Sequence, residues 1–486
     1  MSDGKGCWTA ARKGIQIRQA VIVGGGFTGA AAAIDLARRS AVPLDIRIVE
    51  PRAVLGGGVA HSTPHPDHRL NGTPGIHAIY LDDPLHFRTW LDTSGTAAAD
   101  PQAIRAGGAI YARRRDFGRY MAEQLALQSS INPSGSRIEH VRESAIRIGG
   151  SADKPKVHLS NGTTLAADYV ILGLGWNAIG VPGPFSAVQQ SPAWLGSPWD
   201  LDRISAIPRD APVLLIGAGL TAADTFAALV AQGHQGSVTA LSRRGLRSAS
   251  QTPFQMRVSV WERLMDPEPD FLRKHGRPQN VRSTLRALRH DIAAIDPASA
   301  SWHIPFDDLR DSVTHFWPTM PLAEKRRFVQ HLKSWYDAFR FRNPPQTEDI
   351  VNEGIRRGQL NFVSGRLQAA RRSSTGLEVG YWERMSGAPR LLKVGAAINC
   401  TGPHPLPSGS GNPLWRALLA DGLARDHPCG IGVDVDPSCH LLDLQGRPHQ
   451  RILVVGPPTA GCFGEAAAVP YIARQIFETT DRVFRK

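Results

Sequence analysis

Residues Ala20 to Glu50 read AVIVGGGFTGAAAAIDLARRSAVPLDIRIVE, and the architecture of the chain follows from them. The apolar run Ala20 to Val23 reads as a short buried strand. Gly24, Gly26 and Gly29 follow at the spacing G-x-G-x-x-G, an alanine-rich helix runs to about Arg39, and a second strand, Ile46 to Val49, ends on Glu50. Gly24 permits a tight turn, Gly26 lets a pyrophosphate approach the main chain, and Gly29 lets the helix sit close to the strand. The helix N-terminus faces the phosphate charge. Glu50 falls about 20 residues beyond the triplet, where a carboxylate accepts hydrogen bonds from a ribose diol. A glycine triplet alone says little. Strand, triplet, helix, strand and acid in this order predict a dinucleotide site.

A second unit of the same kind begins at Val213. The strand Val213 to Ile216 feeds Gly217, Gly219 and Ala222, a G-x-G-x-x-A variant that opens another alanine-rich helix. The next strand, Val238 to Leu241, ends on Ser242, Arg243 and Arg244 rather than on an acid. A guanidinium fork can grip a 2′-phosphate that a carboxylate would repel. The first site therefore suits an adenosine with a free ribose, and the second leans toward NADPH over NADH. Two ordinary surface arginines after a strand are the plain alternative.

The rest of the chain fills in around these two units. Gly56, Gly57 and Gly58 form a loop that could lay main-chain amides against a flat ring. The stretch after it is rich in Pro and His, and the spacing of His61, His65 and His68 matches no standard metal site, so no metal is expected. Residues 138–172 read as short strands with a turn at Asn161-Gly162. Residues 251–345 mix charged and apolar residues at helical spacing. Within them, Ala323 to Arg342 would place Phe328, Leu332, Trp335 and Phe339 on one core-facing side. A last helix is expected from near Glu465 to Phe484, with Ile472, Ile476 and Phe477 as its apolar stripe. The fold class that follows is α/β, with two Rossmann-like dinucleotide-binding domains, the second inserted into the first, and a mainly helical insertion. The expected boundaries are a disordered tail at 1–18, a first part of the first domain at 19–195, the second domain at 196–375 with its helical insertion at 251–345, and the second part of the first domain at 376–486.

Composition narrows the setting. A chain of 486 residues has room for two or three domains, and 42% hydrophobic with 20% charged residues is ordinary for a globular protein. No apolar run approaches the roughly 18 residues of a membrane span. Residues 1–18 lack the apolar core of a secretory signal. The five cysteines, Cys7, Cys400, Cys429, Cys439 and Cys462, show no C-x-x-C spacing, which argues against structural zinc or a redox disulfide and fits a reducing cytoplasm. The net charge of +13 is spread along the chain, and no nucleic-acid module accompanies it. A solvated basic surface that also attracts anionic cofactors and an anionic substrate accounts for it.

The runs GGGVAHSTPHPDHRLN, DPLHFRTWL, RRRDFGRY, SPW, GAGLTAAD, LSRRGL, INCTGP and GEAAAVPYIARQ occur in this order. Together they resemble the bacterial FAD/NAD(P)-binding flavoprotein family that includes an FAD-dependent urate hydroxylase and the nitrosuccinate synthases, which N-hydroxylate aspartate. The likeness covers about Ala20 to Ile476. It implies that Gly24, Gly26, Gly29 and Glu50 bind the adenosine diphosphate of FAD, that Gly58 and Asn71 approach the isoalloxazine, and that the turn from Gly456 to Glu465 closes over it. Gly217, Gly219, Ala222, Arg243 and Arg244 would hold NADPH or NADH. The chain departs from the family pattern at His61, where tyrosine is expected, and at Gly72-Thr73, where an apolar residue and proline should follow Asn71. Asn71 and His61 are the candidates for catalytic contact. The implied activity is a flavin monooxygenase that uses NAD(P)H and molecular oxygen, with urate, converted to 5-hydroxyisourate, as the first expected substrate. An amino-acid N-hydroxylase, an NAD(P)H oxidoreductase without oxygen transfer and a non-catalytic nucleotide-binding scaffold are the alternatives. Nucleic acid and membrane are not expected as partners, and a homo-oligomer is left open.

Overall fold

The computed structural model describes residues 18–105, 107–176, 178–251, 260–296 and 301–485. The expected tail therefore lies outside the described residues except for Arg18. A six-stranded sheet holds the first unit, in the order His440–Leu442, Pro448–Val454, Tyr169–Leu172, Arg18–Val23, Leu44–Val49, Arg137–Val141. All neighbours are parallel except the outermost pair. A parallel sheet is covered on both faces, so its strands are continuous apolar runs. Ala20 and Ile22 pack beneath the helices Phe27–Arg39, Arg114–Ser130 and Val469–Phe484. Val21 and Val23 pack on the other face, against Trp415 and a small three-stranded sheet built from Ala145–Ser151, Lys154–Leu159 and Thr164–Ala166.

The second unit is a seven-stranded sheet in the order Ala388–Val394, Gly376–Glu383, Leu360–Ser373, Val238–Ser242, Val213–Ile216, Ala396–Asn399, Trp194–Leu195. Its inner strands are parallel and its first three form an antiparallel ribbon. Two expected boundaries move as a result. Residues 376–399, assigned from sequence to the first domain, pair in the second sheet, and so do Trp194 and Leu195. The alternation of these strands is the same in either sheet, and only their long-range partners assign them.

The two glycine motifs are built alike. Gly24 N–H donates to Val49 O at 2.9 Å and Gly173 N–H to Val23 O at 2.9 Å; Gly217 N–H donates to Leu241 O at 2.9 Å and Cys400 N–H to Ile216 O at 2.9 Å. In each case the first glycine is pressed against a carbonyl just past the neighbouring strand. A Cβ on Gly24 would lie 2.6 Å from Gly173 O, and one on Gly217 would lie 2.3 Å from Cys400 O. Both glycines also adopt left-handed φ, +101° and +124°.

The segment between the strand Val238–Ser242 and the helix Pro345–Arg356 is helical, as expected, and comprises Val260–Met265, Asp270–His275, Val281–Ala293, His303–Phe316, Leu322–Arg327 and Lys333–Arg340 among the described residues. A π turn at Phe328–Leu332 interrupts the helix expected from Ala323 to Arg342. The wider turn advances the inward face by one residue. Phe328, Leu332 and Tyr336 pack on the core, while Trp335 is 43% exposed and Phe339 40%. The core placement of Trp335 and Phe339 is thus corrected. The last helix begins at Val469 rather than near Glu465, with Pro470 in its first turn, where the absent N–H costs no helical bond.

Gly29 supplies the fold's tightest test. A Cβ there would lie 1.8 Å from Gly24 O and 3.2 Å from Ile22 Cγ2. Gly29→Ala should destabilise the chain by at least the roughly 1–3 kcal/mol of an overpacked core, read as a lower denaturant midpoint or loss of soluble protein. Gly219→Ala, whose Cβ meets nothing within 4 Å, is the control and should fold with unchanged stability.

Candidate functional site

At the first motif the loop Gly56–Gly58 lies directly on the glycine turn. Gly56 N–H donates to Gly25 O at 2.8 Å. Gly26 and Gly58 face one another, and a Cβ on either would stand 3.3 or 3.2 Å from the other's Cα. The result is a cradle of bare main chain at the N-terminus of the helix Phe27–Arg39, which fits a diphosphate. Glu50 closes the neighbouring strand and is buried. Its Oε2 accepts from Gly25 N–H at 2.9 Å, and its Oε1 accepts from Arg52 N–H at 3.1 Å and Arg52 Nε at 2.8 Å. Burial would raise this carboxyl, but the Arg52 and Gly25 hydrogen bonds outweigh it and hold it below the usual range. Arg52 escaped the sequence reading. Its only signal in the sequence is a cation two residues past the motif's acid.

The loop that follows carries His61 and Asn71. The His61 ring stands edge-on to Phe117 at 4.9 Å and to Phe27 at 6.4 Å between centroids. Burial, with help from His77 and Arg114, pushes its pKa down to about 3, so it is a neutral imidazole at physiological pH. Asn71 is half-buried and its carbonyl accepts from Gln251 Nε2 at 2.6 Å. His65 and His68 do come together, with rings stacked at 4.7 Å, but both His68 nitrogens are engaged, Nδ1 with Thr63 Oγ1 at 2.7 Å and Nε2 with Asp224 O at 3.3 Å.

The closing turn reaches the same end of the sheet. Gly456 has φ +84°, and a Cβ there would meet the Thr28 side chain at 3.0 Å, beside the start of the first helix. Glu465 does something the sequence did not suggest. Its carboxylate accepts from Arg340 Nε at 3.0 Å, Arg340 Nη2 at 2.9 Å and Tyr336 Oη at 2.5 Å. The side chain expected to face a cofactor instead ties the turn to the helical insertion. Trp317 Nε1 adds a bond to Gly461 O at 2.9 Å. A helical cover thus sits on the turn at several points.

At the second motif Gly219 caps the helix Leu220–Ala231 with open space around it, and Ala222 packs into the core below. The two arginines separate. Arg243 is exposed at the strand end. Arg244 Nη2 donates to His331 O of the π turn at 3.1 Å. Between the two units Arg114 Nη2 donates to Asp224 Oδ2 at 2.6 Å, with the Asp224 side chain buried and that of Arg114 partly so.

One metal-ligating group that the sequence did not reveal is formed by His427, Asp434 and Cys462, whose ligand atoms lie within 4.8 Å of one another. Arg425 already holds the Asp434 carboxylate at 2.7 Å. His427 Nδ1 accepts from Cys429 N–H at 3.1 Å, and the Lys325 ammonium acts on both Asp434 and Cys462. One carboxylate against two nearby cations offers little attraction to a metal ion. Among the described residues, no helix is long and apolar enough to cross a membrane.

Residues 21–177 match the model of a family described as FAD-NAD(P)-binding. No curated protein matches the chain. Solved structures match over nearly the full length. The ornithine hydroxylase from Pseudomonas aeruginosa aligns with a TM-score of 0.64 at 14% identity, over 96% of this chain and 99% of that one. The ornithine N-hydroxylase of Kutzneria sp. 744, in a complex with reduced FAD, NADP+ and L-ornithine, gives 0.61 at 17%, over 96% and 99%. The FAD-bound cadaverine monooxygenase of the desferrioxamine pathway from Erwinia amylovora gives 0.65 at 10%, over 96% and 94%. At such identities the likeness establishes the α/β fold with its two Rossmann-like units.

Two outcomes follow from this geometry. Gly26→Val, which pushes a branched side chain toward Gly58, should abolish FAD retention in purified protein, checked by flavin absorbance after gel filtration. Arg243→Ala should weaken NADPH by the roughly 1.5–3 kcal/mol of a charged hydrogen bond, about 10- to 150-fold, and leave NADH nearly unchanged. Arg244→Ala should have the smaller effect in a titration with both nucleotides, because its guanidinium is already engaged.

Proposed function

We propose that the protein is an FAD-dependent monooxygenase that uses NAD(P)H and molecular oxygen to N-hydroxylate a small amine, an amino acid being the favoured class. The observation that carries this reading is the whole-chain match to structures named as amine hydroxylases, which spans the helical insertion as well as both nucleotide units. Bound FAD would supply the redox chemistry, accepting reducing equivalents from NAD(P)H and activating oxygen. Gly24, Gly26, Gly29, Glu50 and Gly58 would hold it, with Asn71 and the turn at Gly456 approaching its ring. Gly217, Gly219 and Arg243 would hold the nicotinamide nucleotide.

The chain's own part is to bind, orient and exclude water. The helical insertion is fixed to the closing turn through Arg340, Tyr336 and Trp317; with FAD bound it would keep solvent from the ring, which favours oxygen transfer over loss of peroxide. His61, with its pKa near 3, acts as a neutral hydrogen-bonding group rather than as a base, since a general base works best near the operating pH.

The physical argument for urate also falls away. The case for an anionic purine leaned on abundant arginines, but the buried arginines of this region are already paired. Arg340 is bound to Glu465, Arg342 to Asp307, and Arg69 to Asp100. The test is an assay with NADPH and isotopically labelled oxygen against ornithine, lysine, cadaverine, aspartate and urate. A hydroxylamine carrying one labelled oxygen atom is expected from one of the amines. 5-Hydroxyisourate as the only oxygenated product would restore urate. Oxidation of NADPH to NADP+ with one hydrogen peroxide formed from oxygen per NADPH, whatever compound is added, would leave an oxidoreductase without oxygen transfer.

A further inference from the structure

The helix Leu220–Ala231, which opens the second nucleotide motif, carries Asp224 one turn inside its start. Asp224 is 2% exposed and faces the first unit. There Arg114, at the head of the helix Arg114–Ser130, donates from Nη2 to Asp224 Oδ2 at 2.6 Å and from Nε to Arg69 O at 3.0 Å. A second bond runs alongside. His68 Nε2 lies 3.3 Å from Asp224 O, and its Nδ1 lies 2.7 Å from Thr63 Oγ1. The carbonyl can only accept, so Nε2 carries the proton and Nδ1 accepts from the threonine hydroxyl.

These contacts reach the loop that ends at Asn71. Arg114 N–H donates to His68 O at 2.9 Å and Leu70 N–H to Ala112 O at 2.8 Å. The segment Thr63 to Asn71 is thereby strapped to Ala112 and Arg114, and through Arg114 and His68 to Asp224. Trp199 flanks the pair, with the Arg114 guanidinium 5.8 Å from its ring centre. No other acidic side chain pairs with Arg114 among the described residues.

We infer that Asp224 and Arg114 are positioning residues: their ion pair, closed on the Asp224 side and partly open on the Arg114 side, fixes the nicotinamide-nucleotide helix of the second unit against the flavin-facing loop of the first, and so sets the approach of the nicotinamide to the flavin. This rests on the reading of the protein as a flavoprotein reduced by NAD(P)H. The physical basis is that removing one partner of a pair whose carboxylate is enclosed leaves the other charge without its counterion at the seam between the units, so the interface must shift to admit water. A misplacement of about 1 Å between reacting groups can cost on the order of 100-fold in rate. Neither residue touches the glycine cradle, so FAD retention should survive.

The test compares wild type with Asp224→Ala, Asp224→Asn and the exchanged pair Asp224→Arg with Arg114→Asp. Three quantities are read: flavin reduction by NADPH in an anaerobic single turnover, reoxidation of photoreduced flavin by oxygen, and amide hydrogen exchange at Leu70, Asn71 and Leu220–Asp224 in the cofactor-free protein. Asp224→Ala should slow flavin reduction by about 100-fold, leave FAD content and reoxidation unchanged, and speed exchange at both segments. The exchanged pair should recover part of the rate. Should Asp224→Ala not fold, Asp224→Asn, which keeps an acceptor but not the charge, should still slow reduction about 10-fold. Reduction at the wild-type rate in the folded variants overturns the inference and leaves the proposed function standing. Wild-type flavin that NADPH never bleaches overturns that function first, and the inference with it.

Discussion

Main chain pressed against main chain is the constraint on which the rest of this structure depends. In both nucleotide units the first glycine of the motif abuts a carbonyl just beyond the adjacent parallel strand, Gly173 O in one and Cys400 O in the other. A side chain at either position would drive the helix off the sheet, and the helix N-terminus would lose its place at the strand ends. In the first unit the loop Gly56–Gly58 extends the same logic, since it lies on the motif only because Gly26 and Gly58 both lack side chains. The space left for a diphosphate is therefore made by what these residues do not carry.

Arginine–carboxylate pairs then set how the parts of the chain sit on one another. Arg340 joins the helical insertion to Glu465, Arg263 and Arg310 gather on Asp311, and Arg114 joins the first unit to Asp224. Tyr471 of the last helix adds its hydroxyl to Asp311. Pairs of this kind add little net stability over a well-packed apolar contact, yet deleting one partner costs about 3–5 kcal/mol. Their directional geometry suits them to fixing orientation, where apolar packing would allow sliding. A few of the basic residues, Arg69, Arg340 and Arg342 among them, are buried and paired inside the molecule.

The glycine motifs were legible because their requirement is local. A turn with positive φ and a close approach to a phosphate are demands on the residue itself, so they show in one dimension. The doubling of the dinucleotide fold and the helical character of the described residues within 251–345 were legible for the same reason, through periodicity. The π turn at Phe328–Leu332 was not, because a single widened turn leaves the pattern before and after it intact while moving Tyr336 inward and Trp335 outward.

Two parallel nucleotide-binding sheets, the glycine turns Gly24–Gly29 and Gly217–Ala222, and the acid at Glu50 with the basic pair at Arg243 and Arg244 can all be read along the chain. Folding alone selects which partner each charged side chain meets: Arg52 on Glu50, Arg340 on Glu465, His331 O on Arg244, Arg114 on Asp224. It also decided that residues 376–399 close the second sheet rather than the first. Strand pairing and ion pairing join residues far apart in the chain, and the free energy that selects one partner over another comes from burial and geometry that exist only once the chain has folded.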